Sequence, residues 1–319
     1  MKKQGGNTLG IERREVLDEE FGRCIYMENH FIHLMVSIDY GPRIVSLGFL
    51  DGENLFYHDE EGRHVHANGE WKAYYGEERR FHLYGGHRLA VAPDRMPQSY
   101  YPDTEPVVYT PLTGGMRFTP PKQRENDLQF SLDVMMGEDA SDLMLVQYMK
   151  NCSHEEKRLS LSGCTMFAPG GVAILPQNRG REEKHLPNRN VTMWPFSSFR
   201  DERLLLGDRY ILVQQAESDR LLKFGINDVL GWAAYSNRGV TVLKRFVHTQ
   251  GQVYPDFGSS LEMYLCSDYA ELRSLSPLVT LAPGETLRHV ENLALMRVPD
   301  LKFGASEEQV EAFVYNLKL

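Results

Sequence analysis

Short apolar or alternating runs, cut every few residues by Gly, Pro, Asn and Asp, constrain this chain more than any other feature. Runs of roughly four to eight residues rich in β-branched and aromatic side chains, closed off by turn formers, read as strands. They recur at Phe31–Ile38, Arg43–Phe49, Leu128–Met135, Leu143–Tyr148, Leu159–Met166, Tyr210–Gln215, Val240–Val247 and Ser260–Leu265. Turn signals fall at Asp51-Gly52, Gly114-Gly115, Gly137-Glu138 and Pro283-Gly284. Helical patterns are scarce. One amphipathic segment spans Ser306–Asn316, with Ser306 placed to cap it, and a second helix is expected after Ser267, in SDYAELRSLSP. Many strands and few short helices predict an all-β fold, a sandwich or a barrel.

The 319 residues exceed a typical domain, yet sandwiches and barrels often run past ~200 residues as one unit. A hydrophobic content of 42% supplies a sizeable core, and neither a Ser/Gly linker nor an internal repeat divides the chain. A single domain over residues 1–319 is therefore expected. The stretch from Asn178 to Arg203 is rich in Arg, Asn, Glu and Pro and has little periodicity. It reads as a long loop, and loops of that length are commonly functional. The net charge of −9, with no long basic run, argues against nucleic acid as a partner. Cys24, Cys152, Cys164 and Cys266 match no zinc spacing and are expected as free thiols in a reducing compartment. The N-terminus lacks the apolar centre of a signal peptide, and no stretch of about 18 apolar residues marks a membrane span. Cytoplasmic localisation is the expectation.

Four segments concentrate polar and aromatic side chains in tight Gly/Pro contexts. In the first, Asp39 to Leu47, Arg43 follows a Gly-Pro turn; its planar fork suits hydroxyls, carboxylates or phosphates, or a structural carboxylate. In the second, Phe81 to Asp94, His82, Tyr84, His87 and Arg88 surround Gly85-Gly86. A histidine there can act as acid or base. Tyr84, Tyr100 and Tyr101 offer faces that suit a sugar ring. The third runs from Leu222 to Tyr235 and carries Lys223 and Trp232. Such a Trp stacks on a sugar or, more often, fills a core. In the fourth, Tyr254 to Tyr264, Asp256 precedes Glu262, which alternation puts on one strand face with Ser260 and Tyr264. A carboxylate pointing into a cleft there is a candidate base. His64 and His66 have alternate spacing suited to a metal, but nothing downstream completes a set, so no metal or other cofactor is expected.

Together these segments resemble the galactose mutarotase-like superfamily, aldose 1-epimerases in the broad sense, and are most similar to an uncharacterised bacterial branch. The resemblance covers roughly Phe31 to Val298. It rests on Gly41 to Leu47, on the His82-Leu-Tyr-Gly-Gly86 turn, and on the Leu261-Glu262 strand followed by Pro283-Gly284-Glu285. The family fold it implies is a large antiparallel β-sandwich, with a sugar held across one concave sheet. The family reaction needs a base for the anomeric hydroxyl and an acid for the ring oxygen. The resemblance puts Glu262 at the base. Tyr84 stands where the family has a histidine before Gly-Gly, and Thr165 or a neighbour stands in the region of its second histidine, so His87 is the substitute acid.

The expected function is carbohydrate binding, with sugar epimerisation by Glu262 and His87. Arg43, His82, Tyr84, Arg88, Lys223, Trp232 and Asp256 would line the site. Arg43, Arg88 and Arg95 also admit an acidic or phosphorylated sugar. Two alternatives stand beside it: a non-catalytic carbohydrate-binding or regulatory protein, and an oligosaccharide lyase or hydrolase on the same scaffold.

Overall fold

The alternation resolves into two large antiparallel sheets in the computed structural model, which describes residues 10–179 and 185–319. The reading of residues 1–9, and that of 180–184 within the expected loop, lie outside the described residues. The first part of the chain forms β1 (Glu12–Asp18), β2 (Gly22–Glu28), β3 (Ile32–Ser37), β4 (Arg43–Phe49), β5 (Val65–His66), α1 (Gly69–Tyr75), β6 (Phe81–His82) and β7 (His87–Ala92). The middle forms β8 (Val108–Leu112), β9 (Gly115–Thr119), β10 (Leu128–Met136), β11 (Asp142–Asn151), β12 (Lys157–Phe167), β13 (Val172–Pro176), β14 (Val191–Met193), β15 (Leu204–Leu206) and β16 (Tyr210–Gln214). The rest forms β17 (Leu222–Ile226), β18 (Trp232–Asn237), β19 (Val240–Phe246), α2 (Pro255–Gly258), β20 (Leu261–Leu265), β21 (Ala270–Leu275), β22 (Val279–Leu281), β23 (Thr286–Arg297) and α3 (Glu307–Asn316).

The larger sheet runs β1-β2-β3-β4-β7-β12-β21-β20-β17-β14, with β22 also paired to β12. The second runs β15-β16-β13-β18-β19-β23-β11-β10-β9-β8, and β5-β6 form a small ribbon. The two large sheets share one apolar layer. Leu34, Ile44, Phe224 and Leu272 enter it from the larger sheet, and Leu132, Leu145, Val213 and Leu293 from the second, all fully buried. Period-two side-chain alternation produces this layer: in β3, Ile32, Leu34 and Val36 are buried while His33 and Met35 are only half-buried. The architecture is the expected all-β antiparallel sandwich, not a barrel.

The helix expected at Ser306–Asn316 forms as α3. Ser306 and Gln309 close a reciprocal capping box, and Val310 and Val314 pack onto the second sheet. The helix expected after Ser267 does not form; that segment is β21. Its sequence fits period two as well as a helical period. Ala270 and Leu272 enter the core, and pairing with β12 on one side and β20 on the other overrides local helix propensity. The expected long loop carries the short edge strand β14, paired to β17. A cluster including Trp71 and Tyr75 of α1, Phe81, Tyr101 and Tyr269 packs on Met166 of β12 and partly covers the face of the larger sheet turned away from the core. No helix among the described residues is long and apolar enough to cross a membrane.

Candidate functional site

Cross-strand partners in a sheet share a face, so the register decides which side chains meet. Arg43 pairs with Arg88, Arg88 with Cys164, Cys164 with Arg273, Arg273 with Glu262, and Glu262 with Gly225. This row crosses the outer face of the larger sheet. A parallel row two residues along joins Met166, Glu271, Tyr264 and Lys223. The intervening row, His87, Thr165, Leu272, Met263 and Phe224, points the opposite way, into the layer between the sheets.

Glu262 is the centre of the outer-face cluster and is 1% exposed. Lys223 Nζ lies 3.1 Å from Glu262 Oε2 and 3.1 Å from Asp94 Oδ2. Arg273 grips Asp94 with two donors, at 2.8 and 3.1 Å, and its Nη1 stands 3.5 Å from Glu262 Oε2. Lys223 and Arg273 are thus bracketed by two carboxylates. Burial opposes the charge on Asp94, but Arg273 and Lys223 outweigh it and hold this carboxyl well below the usual range. Burial and Arg273 likewise work against the Lys223 ammonium, while Glu262 and Asp94 raise its pKa on balance. The ion contacts to Glu262 lack hydrogen-bond geometry. Both of its oxygens are without a hydrogen-bond donor among the described residues, which is costly for a buried carboxylate.

Asp256, in α2 just before β20, reaches the same point and sits within hydrogen-bonding range of Glu262. Burial first, and then Glu262, push its carboxyl up to about 7. The backbone there is left-handed at two successive non-glycine residues, Asp256 (φ 49°) and Phe257 (φ 59°). Ser259 Oγ donates to the Asp256 carbonyl at 2.9 Å. Gly225 makes this packing possible: a Cβ there would lie 2.3 Å from Ser259 Oγ and 3.4 Å from Glu262 Cγ. Aromatic side chains border the cluster. Lys223 Nζ lies over the Trp194 ring at 4.1 Å, Tyr100 and Tyr264 are half-buried, and Phe257 is 89% exposed.

The structure therefore brings Glu262, Lys223 and Asp256 together and places the other sequence candidates elsewhere. His87 is fully buried on the opposite face. Its Nδ1 is 3.0 Å from Thr165 Oγ1 and its Nε2 is 3.6 Å from Glu291 Oε2. The expectation that it joins Glu262 as the acid is corrected: strand alternation sends neighbours His87 and Arg88 to opposite sides, and the side with Glu262 receives Arg88. Arg88 is on the outer face but three strands from Glu262, and its guanidinium lies over Phe81 and Tyr100. Arg43 stands four strand spacings from Glu262, about 19 Å. All its donors are engaged: Asp103 takes Nε and Nη2, and the carbonyls of His82, Leu83 and Gly85 take the rest. It pins the Gly-Gly turn, where Gly85 and Gly86 (φ +98° and +71°) press against the Tyr57 and Ile44 carbonyls. Tyr84 stacks on Tyr40 at 4.0 Å and on His82 at 5.3 Å, away from Glu262. Trp232 belongs to the second sheet, buried beneath α3.

Three members of the cluster escape the sequence reading. Arg273 was hidden by the helix expected at β21, although Glu271 and Arg273 at period two carry the signal of one polar strand face. Asp94 ends the Gly-Gly segment but looks like an ordinary turn aspartate. Trp194 lies in the long loop, whose Pro- and Trp-bearing TMWPF stretch was the only hint. His64 pairs with Asp268 at 2.8 Å rather than with His66, which stacks on Trp71. Among the described residues, two triads have ligand atoms within 4.8 Å of one another, His64-Cys266-Asp268 and Glu20-His58-Glu60. In each, a histidine–carboxylate contact already accounts for the approach.

No family model matches the chain, and no curated protein matches it. Solved structures do. A TPR-domain containing protein from Parabacteroides distasonis aligns with a TM-score of 0.60 at 14% identity, over 89% of this chain and 48% of that one. This chain thus spans about half of that protein. A galactose mutarotase-like protein from Clostridium acetobutylicum aligns with a TM-score of 0.51 at 12% identity, over 91% of this chain and 99% of that one. Another, from Lactobacillus casei, aligns with a TM-score of 0.50 at 10% identity, over 86% and 100%. At these identities the likeness is one of fold: the chain has the galactose mutarotase-like sandwich that the sequence resemblance implies.

Proposed function

We propose that the protein, read as one domain over residues 1–319, binds a neutral carbohydrate on the outer face of its larger sheet and interconverts its anomers with Glu262 as base. One observation carries the reading: a carboxylate 1% exposed, with no hydrogen-bond donor on either oxygen, set among aromatic rings. A sugar hydroxyl is the donor that such a group lacks. Lys223, Arg273 and Asp94 fix Glu262 in place and can meet further hydroxyls. Trp194, Tyr264 and the exposed Phe257 supply apolar faces for the ring.

Charge supports a neutral sugar over an acidic or phosphorylated one. Lys223, Arg273 and Arg88 are each set against carboxylates of the same face, Asp94, Glu262 and Glu271. Lys223 and Arg273, the two cations beside Glu262, are both already paired with carboxylates. The hydrolase alternative fits poorly, because the two carboxyls of glycoside hydrolases stand about 5 Å or more apart, whereas Asp256 is in hydrogen-bonding range of Glu262. The four free thiols, three of them buried, fit the reducing cytoplasm.

Two-dimensional exchange NMR over a panel of neutral aldoses tests the reading. Accelerated exchange between α and β signals is expected for at least one sugar, with the rate cut by about 10²-fold or more in Glu262→Gln. Sugar binding with no exchange would leave a non-catalytic binding protein. A Glu262→Gln variant as fast as the wild type would remove Glu262 from the chemistry.

A further inference from the structure

We infer that Asp256 and Glu262 hold one proton between them, and that Asp256, carrying it, is the acid that protonates the sugar ring oxygen; the acid role rests on the carbohydrate reading above. Two ionised carboxylates within hydrogen-bonding range repel, and neither can donate to the other. A single proton turns the contact into a hydrogen bond, which gives one of the two buried Glu262 oxygens a donor and leaves the other for a sugar hydroxyl. The groups facing the pair set which partner keeps the proton. Lys223 on β17 and Arg273 on β21 both stand within 3.5 Å of Glu262 Oε2. Asp94, after β7, repels charge on Asp256, while Lys223 only partly favours it. The cations are therefore concentrated on Glu262, and the proton rests on Asp256, whose carboxyl is pushed up to about 7 by burial and by Glu262.

The local backbone holds Asp256 in this position. Its left-handed conformation is one that Asp and Asn tolerate better than most residues. Ser259, packed against Gly225, ties down the Asp256 carbonyl, and Asn190 Nδ2 binds the Phe257 carbonyl. The geometry also suits the chemistry. The anomeric oxygen and the ring oxygen of an aldose are bonded to the same carbon, so the groups that act on them must be neighbours. Glu262 takes the proton of the anomeric hydroxyl and the C1–O1 bond becomes a carbonyl. The electrons of the breaking C1–ring oxygen bond go to that oxygen, which takes the proton from Asp256. After rotation about C1–C2, the chain hydroxyl returns its proton to Asp256 as it attacks the carbonyl from the other face, and Glu262 returns its proton to O1. Atoms, charge and the protonation state of the pair are all restored. His87, on the far face of the sheet, is not needed.

Carbon-detected NMR titration of Asp and Glu carboxyls in the sugar-free protein tests the shared proton. The Asp256 signal is expected to titrate near neutrality in the wild type and to move to lower pH in Glu262→Gln. Titration of Asp256 in the ordinary acidic range overturns the pair. Anomer exchange and calorimetry with the best sugar test the acid role. Asp256→Asn, compatible with the left-handed backbone, is expected to keep sugar affinity within about threefold and to lose roughly 10²–10⁴-fold in exchange rate, with partial recovery in Asp256→Glu. The wild-type rate is expected to fall above about pH 7 and that of the variant to lose this limb. Unchanged exchange in Asp256→Asn overturns the role. A wild type that turns over no sugar overturns the acid role together with the carbohydrate reading, while the titration still decides the shared proton by itself.

Discussion

Replacing His87 by Asn should make the protein's stability less sensitive to acid by an amount that follows from burial. His87 and His289 are both buried among ionised groups between the sheets. Lys244 Nζ lies 2.6 Å from Glu291 Oε1, and Lys244 also donates to Gly163 O and Thr165 Oγ1 at 3.0 and 2.9 Å. His289 Nε2 is 2.6 Å from Ser274 Oγ. Burial drives the His87 ring from its ordinary 6.5 down to about 3 and the His289 ring to about 4, with Lys244 adding to the effect and Glu291 opposing it. Both folded values lie below the unfolded one. The unfolded chain therefore binds protons that the native state refuses, and stability is complete above about pH 6.5 and lost as pH falls toward the folded values. At pH 5, about 1.5 units below the ordinary value, each ring removes about 2 kcal/mol. Asp228 and Asp256, both pushed up to about 7 mainly by burial, act in the opposite direction, so the wild-type slope alone decides nothing. The comparison is urea unfolding of wild type and His87→Asn at pH 7.5 and pH 5. The difference in stability between them should shift by about 2 kcal/mol in favour of the variant at the lower pH. An unchanged difference, or an imidazole signal of His87 titrating near 6.5, would refute its burial between the sheets.

The remaining predictions concern the outer-face cluster. Arg273→Gln removes the bidentate partner of Asp94 and should cost about 3 kcal/mol, the lower end for a broken buried pair, because the Asp94 side chain is 23% exposed and Lys223 remains. In a chain of this size that is a fall of about 4–5 °C in Tm by calorimetry. Asp94 is depressed in the fold, so its contribution is present above about pH 4 and lost on acidification. The variant should lose less stability than the wild type between pH 5 and pH 2. Gly225→Ala should cost about 1–3 kcal/mol in urea unfolding by displacing Ser259, and should weaken sugar binding more than its stability loss explains. Trp194→Ala should lower sugar affinity in calorimetry by about 1 kcal/mol, roughly fivefold, with little change in Tm.

The strands were legible because their alternation is imposed by a two-layer core. The eight apolar or alternating runs expected as strands all form strands, with ends within three residues of expectation. The segment at β21 was misread because AELRSL satisfies both periods, and only its pairing to β12 and β20 decides between them. That one misreading concealed Arg273. The candidate site was half legible. Glu262, Lys223 and Asp256 stand in distinctive contexts and do meet. His87 and Arg43 stand in equally distinctive contexts but serve the core and the Gly-Gly turn. Nothing local separates the two outcomes: a polar residue on a strand faces a ligand or an internal network according to its register, and register is set by strands distant in sequence. The inter-sheet network of Lys244, Glu291, His87 and His289 is the clearest case. All four are buried, and they face one another between the sheets rather than the outer face that carries Glu262.

The most direct measurement is a crystal structure of the protein with the best-binding aldose. The ring is expected across the outer face of the larger sheet, its anomeric hydroxyl within hydrogen-bond distance of Glu262 and its ring oxygen toward Asp256. A sugar bound at the Gly-Gly turn beside Arg43 and Tyr84, with Glu262 untouched, would contradict that placement.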